Sequence, residues 1–486
     1  MEGAWRGKMS MKSGSKWRHI FGTAARNEDC LDGLRILNSA WDSDSLCASE
    51  KYVAVPMQGG GGPVCVLRHD QTGKLSSPPT ISGHKGQVLD MAFSPFNAGM
   101  LATGSDDTTV KIWSIPDGGL TDNLHADHAL VELTGHSKKV GVTRWHPSAE
   151  GVLATSSIDK TIKIWNVETG QETFSIDDFP DYPTSMCWSY DGGIMAATTK
   201  AKQISLIDPR ERAIMSTTDS HPGAKSQRCC WLGSKNLIFS FGFSKQSGRE
   251  IAVWDPKNMS APVYKDEIDV ASGVLMPLFD PDLNILYLGG KGDGNIRYFE
   301  VKEDSSLFYL SQFSGNPQAG LCMAPKRACD VMKCEVAKIF KMEKSQVTPV
   351  SFVLPRKGDS FQDDVYPNSA APQAAISADD WAGGATADPV LMSLDPSGGG
   401  AVSAAPVVKK ASGMAGRVAD LEAEVAELKQ QLAQKDAEIA ALKAGGASAP
   451  APAPAPAPAA EAPAVADPEP APAPAADEDD DDEPAE

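Results

Sequence analysis

An all-β fold built from repeated four-stranded sheets is what this sequence predicts, and three observations carry it. Residues 83–113 and 135–165 repeat one pattern without a gap. Weaker copies of that pattern run through residues 36–301. Turn-forming clusters of Gly, Asp, Asn and Pro recur about every 8–12 positions between residues 14 and 357, the rhythm of short strands closed by tight turns.

The two strong copies are GHKGQVLDMAFSPFNAGMLATGSDDTTVKIW and GHSKKVGVTRWHPSAEGVLATSSIDKTIKIW, offset by 52 residues. The offset pairs His84 with His136, Ser105 with Ser157, Asp107 with Asp159 and Trp113 with Trp165. In a four-stranded blade this spacing lets the turn Asp accept from the imidazole, whose other nitrogen meets the Ser hydroxyl. The Ser then reaches the indole N–H. Such a buried polar chain is tolerable only when every member is satisfied, so the residue types recur together. The set resembles the WD-repeat signature, and the fold that signature implies is a β-propeller. A hydrolase triad of His84, Asp107 and Ser105 is the competing reading; two copies one blade apart, each ending in Trp, argue against it.

The weaker copies lie at 185–209, at 228–256 with Trp254-Asp255, at 275–301 with Asp293, and upstream at 36–70. That makes six units. A seventh is assembled from residues 319–357 and a strand near Lys16–Phe21 that closes the ring. Closure matters because an open ring leaves strand edges that aggregate. Seven blades are expected.

The 486 residues are 41% hydrophobic and 22% charged, a globular rather than disordered composition. No apolar run approaches the ~18 residues that span a bilayer. Nine cysteines with no CxxC pair suit reduced thiols in the cytoplasm. The net charge of −19 is uneven: residues 461–486 hold 11 acids and no base, while residues 1–20 are basic. An acidic balance is a poor match to nucleic-acid binding, which needs a basic stripe.

Composition divides the chain. Residues 1–13 read as a flexible basic N-terminus, 14–357 as the propeller, 358–395 as an extension packing on it, and 396–416 as a linker. Residues 417–443 read as a coiled coil, and 444–486 as a disordered Pro/Ala-rich and acidic tail. In the coil, Val418, Val425, Leu432 and Ile439 fall at a, and Leu421, Leu428, Lys435 and Leu442 at d.

The degenerate blades and their flanks carry a finer resemblance. KWRHIFG (16–22), GHSKKVGVTRWHP (135–147), IAVWDP (251–256), GKGDGNIRYFE (290–300), CEVAKIFK (334–341), SFQDDVYP (360–367) and SADDWAGGATADPVLMSL (377–394) together look like a coronin. The resemblance implies a seven-bladed, non-catalytic, actin-filament-binding protein of the cytoplasm, at the actin cytoskeleton and cell cortex. Arg35, in CLDGLRILNSAWD, matches the position of the family's actin-contacting Arg, with Lys16 and Arg18 as further candidates. The branched-actin nucleating complex is a second implied partner. RVADLE (417–422) matches the short trimeric-coil motif that coronins carry, with Arg417 and Glu422 at its ends. Val at a and Leu at d lean instead toward two strands; the trimer is the expected state, and with it bundling of filaments. A general propeller adaptor in trafficking or ubiquitin machinery is the alternative reading.

Other motifs carry no site. GGGG (59–62) lacks the Gly-Lys-Ser/Thr of a phosphate loop. His125 and His128 lack further ligands beyond Asp127, and the cysteines read as blade-core thiols. No metal, cofactor or catalytic constellation is expected.

Overall fold

The computed structural model describes residues 14–39, 41–358, 360–398, 407–410, 425–426, 429–430 and 432–435. The chain forms two units, residues 1–417 and 418–486. The first is a seven-bladed β-propeller, as expected from the repeats.

Blade 2 (Val88–Phe93, Met100–Ser105, Val110–Ser114, Val131–Leu133) and blade 3 (Val140–Trp145, Val152–Ser157, Ile162–Asn166, Gln171–Ile176) are the two strong repeats. The inner strands of blades 4, 5 and 6 begin at Pro183, Arg228 and Leu275. Blade 1 is built on Tyr52–Pro56 and Val64–Arg68. Alternating apolar residues bury one face of each sheet against the next; Ile112 and Leu133 of blade 2 join Leu153 and Trp165 of blade 3 in one core.

Blade 7 holds Gly320–Met323, Glu335–Met342 and Gln346–Val353 from the end of the ring. Phe21–Ala24 from its beginning pairs antiparallel with Val350–Val353. The closing strand therefore begins at Phe21, the last residue of the expected stretch, and runs on to Ala24. Residues 17–20 instead make a turn whose Trp17 and Ile20 are buried in the core between blades 6 and 7. An indole and an isoleucine gain more there than on an edge strand open to water.

Antiparallel pairing fixes two faces. The turns between second and third strands, and the connections between blades, emerge on one face, here called upper. The remaining turns emerge on the lower face. A segment outside the repeats covers part of each.

On the upper side, residues 36–46 pass from blade 7 toward blade 1 across the channel. Trp41 Nε1 donates to the Gly141 carbonyl at 3.1 Å, and its ring lies where a Cβ at 141 would stand. Only glycine admits it there. Asp44 bridges Arg144 at 2.8 Å and Arg228 at 3.0 Å. Lys291 Nζ donates to the carbonyls of Ser39 and Trp41 at 3.1 and 2.9 Å.

On the lower side, residues 360–394 run back under the ring. Val365 and Tyr366 join the core of blades 6 and 7, and the Tyr366 hydroxyl donates to the Glu335 carbonyl at 3.0 Å. The helix Ala378–Ala382 is capped by Ser377, whose hydroxyl accepts from Asp380 N. Its Trp381 is 1% exposed, packs edge-on to His146 and Trp188, and donates to the Gly192 carbonyl at 3.0 Å.

In the second unit, helix is described at 425–426, 429–430 and 432–435, with Val425 and Leu432 46% and 66% exposed in the single chain. Arg417, Val418, Leu421, Glu422, Leu428, Ile439 and Leu442 lie outside the described residues. No described helix is long and apolar enough to cross a membrane.

Candidate binding surface

The repeated polar residues assemble differently from the sequence expectation in one respect. His84 Nδ1 lies 3.0 Å from Asp107, but His84 Nε2 meets Thr103 Oγ1 at 2.7 Å, not Ser105. Trp113 Nε1 donates to the same Thr103 oxygen at 2.9 Å. Ser105 donates to the Gln87 carbonyl and accepts from Asp107 N, fixing the turn. Blade 3 repeats this with His136, Asp159, Thr155 and Trp165, while Ser157 donates to the Lys138 carbonyl. Positions 103 and 105 share one face of a strand, so either hydroxyl suits the pattern. The one midway along the strand lies level with the indole.

Proton bookkeeping sets the tautomer. The indole only donates and the carboxylate only accepts. Thr103 therefore accepts from Trp113 and donates to His84 Nε2, leaving Nδ1–H for Asp107. Hydrogen bonds from His84, Thr109 and the Lys85 amide outweigh burial and hold the Asp107 carboxyl well below its usual range. Thr103 is 0% exposed and shared with an indole, so these sets present no nucleophile to substrate.

A third set went unrecognised in the sequence. His221 Nε2 meets Ser240 at 2.9 Å, Trp254 donates to Ser240 at 2.8 Å, and Glu250 takes the aspartate's place at 3.1 Å. The 19-residue spacing from His to hydroxyl is kept in all three blades. That spacing was the available signal.

The sequence-nominated basic residues fall on opposite faces. Phe21 sits opposite Val353 at the lower end of blade 7, which places Lys16 and Arg18 below. Lys16 Nζ donates to the Asp364 carbonyl at 3.2 Å and Arg18 Nε to the Ser15 carbonyl at 3.5 Å. Lys16 is thus tied to the returning segment, while Arg18 turns back onto its own loop. Leu31 sits opposite Val347 at the upper end, and the amide of Leu34 donates to the Ser345 carbonyl. Arg35 emerges there, exposed between buried Leu34 and Ile36. The structure does not bring it together with Lys16 and Arg18.

Its neighbours are lysines that the sequence reading did not single out. A pocket of about 520 Å³ beside it includes Asn38, Gln58, Lys291 and Lys344. A second, of about 540 Å³, includes Lys200, Lys225 and the shared Lys291. Burial lowers the Lys291 pKa against the pull of Asp42. The upper turns within blades 4–6 and between them carry Lys200, Lys202, Lys225, Lys245 and Lys291; their acid, Asp293, is held by Arg249 at 2.7 Å, while Asp177, Asp178 and Asp181 stand in the connection that enters blade 4. Among the described residues, no carboxylate pairs with Arg35, Lys200, Lys202, Lys225, Lys245 or Lys344. In a chain of net charge −19 this gathers six cations without an ion pair on one face, beside Asp42 and Glu343. Among the described residues no three His, Cys, Asp or Glu side chains gather as a metal site.

Comparison with known proteins adds three kinds of match. The model described as WD domain, G-beta repeat matches residues 76–114 and 128–166, and a type of WD40 repeat matches 347–389. A domain of unknown function, DUF1899, matches residues 10–74, the stretch that holds Arg35 and the upper segment. The chain is 42% identical over 394 residues to a coronin-like protein of Saccharomyces cerevisiae, covering 78% of this chain but 60% of that protein. It is 38% identical to coronin-2A of Homo sapiens, covering 79% and 74%, and 39% identical to coronin-A of Dictyostelium discoideum, covering 87% and 97%. The crystal structure of the WD40 domain of Toxoplasma gondii coronin superposes with a TM-score of 0.74 at 32% identity, covering 78% of this chain and 98% of that one.

Proposed function

The chain belongs to the coronin family, and from that premise we propose that it binds actin filaments through the upper face of its propeller, with Arg35 as the central contact. The observation that carries this reading is the charge imbalance there: an exposed arginine and a lysine sector without partner carboxylates, on a strongly acidic chain. Filament surfaces are acidic, so such a sector steers association and supplies charge-assisted contacts. Lys16 and Arg18 are left out of the contact, since they lie on the lower side, away from Arg35. The role is binding rather than catalysis.

Bundling follows if the 417–443 segment oligomerises, because linked propellers raise the effective concentration of the second site. A trimer is the state we favour. The branched-actin nucleating complex is a further partner of this reading, and the actin cytoskeleton and cell cortex its place in the cell.

Co-sedimentation of the full chain with filamentous actin tests it. Arg35→Asp should weaken binding by about 30-fold, roughly 2 kcal/mol, with an unchanged melting curve. Unaltered sedimentation of that variant at matched salt removes Arg35 from the contact.

A further inference from the structure

Blade 2 is notched on its lower rim. After Ser114 the chain leaves the blade and runs out to pair Leu124–His125 with Ile81–Ser82 of blade 1. It returns only for Val131–Leu133, three residues, whereas the outer strand of blade 3 has six. The shortfall opens a groove of about 410 Å³ between the two blades. Phe96, Met100, Leu130 and Val131 line it, and Leu130 is 57% exposed. Glu150 and Glu168 stand exposed on its rim, and no cation among the described residues pairs with either.

An apolar hollow edged by two unpaired carboxylates selects by both size and charge. A soluble propeller gains nothing from leaving a leucine bare there, because exposed apolar area is costly in water. The groove also lies on the face opposite Arg35, so it is separate from the proposed filament contact. We propose that it docks a short segment of another protein, presenting a leucine-sized aliphatic side chain flanked by Lys or Arg. The aliphatic group would cover Leu130 and Met100, and the flanking cations would meet Glu150 and Glu168. This is the lower-face counterpart of a cationic upper face.

The probes are two fluorescein-labelled hexapeptides, KRLLRK and EDLLDE, titrated with the full chain and followed by fluorescence anisotropy. The expected result is binding of the basic peptide only, with a shift of the Met100 methyl resonance. Leu130→Ser should weaken it at least about tenfold. Glu150→Gln with Glu168→Gln should weaken it about fivefold and flatten its salt dependence. Melting curves and actin co-sedimentation of the variants should match the parent.

Three outcomes overturn the proposal. One is no binding of either peptide. Another is equal binding of the basic peptide to the intact chain and to Leu130→Ser, which would mean general attraction to an acidic surface. The third is binding that appears only once residues 1–13 are removed, since that stretch, with Trp5, Met9, Met11 and three basic residues, would then be the occupant.

Discussion

Each face of the ring is crossed by a segment that the blade repeat does not supply, and the two differ in how much of their hold is charge and how much is burial. Above, residues 36–46 bury Ile36 and Leu46 at their ends, but their middle is held by charge: Asp44 between two arginines, and Lys291 on two backbone carbonyls. Below, residues 360–394 are held by apolar burial, with Trp381, Ile376 and Val365 sunk into blade cores. Burial of that kind stabilises the fold and leaves nothing for a partner to use. A charge-held crossing leaves cations at the surface, where an acidic partner can compete for them. The filament-binding reading therefore belongs to the upper face, and the larger apolar anchoring to the lower one.

The largest test of that division is Trp381→Ala. Removing a fully buried indole, its hydrogen bond to Gly192 and its contacts with Trp188 should cost about 3–5 kcal/mol. The melting temperature should fall while filament binding survives wherever the protein stays folded. Loss of binding well below the melting transition would mean that the faces are not separable. Next in size is Asp44→Ala, which strands Arg228, a nearly buried guanidinium, and takes one of two partners from Arg144. Part of that cost is screened by the half-open channel, so roughly 2 kcal/mol is expected. Because this anchor lies beside the proposed contact, filament binding should weaken along with stability. Binding that falls in proportion to Trp381→Ala instead would erase the contrast.

Acid should separate the faces as well. His146 is 0% exposed between Trp188 and Trp381, its Nδ1 accepting the Ala149 amide and its Nε2 donating to Gly192. Burial depresses its pKa to about 3. The fold keeps it neutral while the unfolded chain takes up a proton near the ordinary value of about 6.5. Its contribution is therefore whole above pH 6.5 and is lost as pH falls toward 3. By pH 5 the loss should reach about 2 kcal/mol. The carboxylates of Asp107 and Asp159, held low, keep their stabilising charge until the pH passes below the ordinary aspartate range. Chemical denaturation at pH 7 and pH 5, with His146→Gln as the comparison, checks this; an equal slope in both proteins would place the acid sensitivity elsewhere.

What could be read from the sequence follows the same divide. The 52-residue offset exposes blades 2 and 3 because their histidine, aspartate and tryptophan are fixed by one hydrogen-bonded chain. His221 escapes notice because Ser-His-Pro replaces Gly-His, Glu250 replaces Asp, and four extra residues separate it from Trp254. Thr103 and Ser105 are indistinguishable on paper, since two residues of one strand face offer the same hydroxyl. The lysine sector is invisible to a linear scan for a different reason. Lys200, Lys225 and Lys291 lie in three blades, and only the ring brings them to one side. Lys16 and Arg18 mislead for the converse reason: they are near Arg35 in sequence, but a bottom-to-top closing strand stands between them.

The smallest expected effect is also the sharpest probe of the upper face. Lys200, Lys202, Lys225 and Lys245 are exposed, so neutralising one should cost well under 1 kcal/mol of filament binding. Lys200→Gln, Lys225→Gln and Lys245→Gln together should lower the association rate more than they raise the dissociation rate, because rim charges steer encounter. Their combined loss should be clear at low salt and fade as the Debye length shrinks from about 10 Å at 0.1 M. Arg35→Asp should behave otherwise, keeping most of its defect at high salt because a contact desolvated on binding is poorly screened. Stopped-flow binding across a salt series separates the two patterns. Identical salt dependence for the lysine triple and for Arg35→Asp would make Arg35 one more steering charge on a diffuse surface, and the upper face would have no centre.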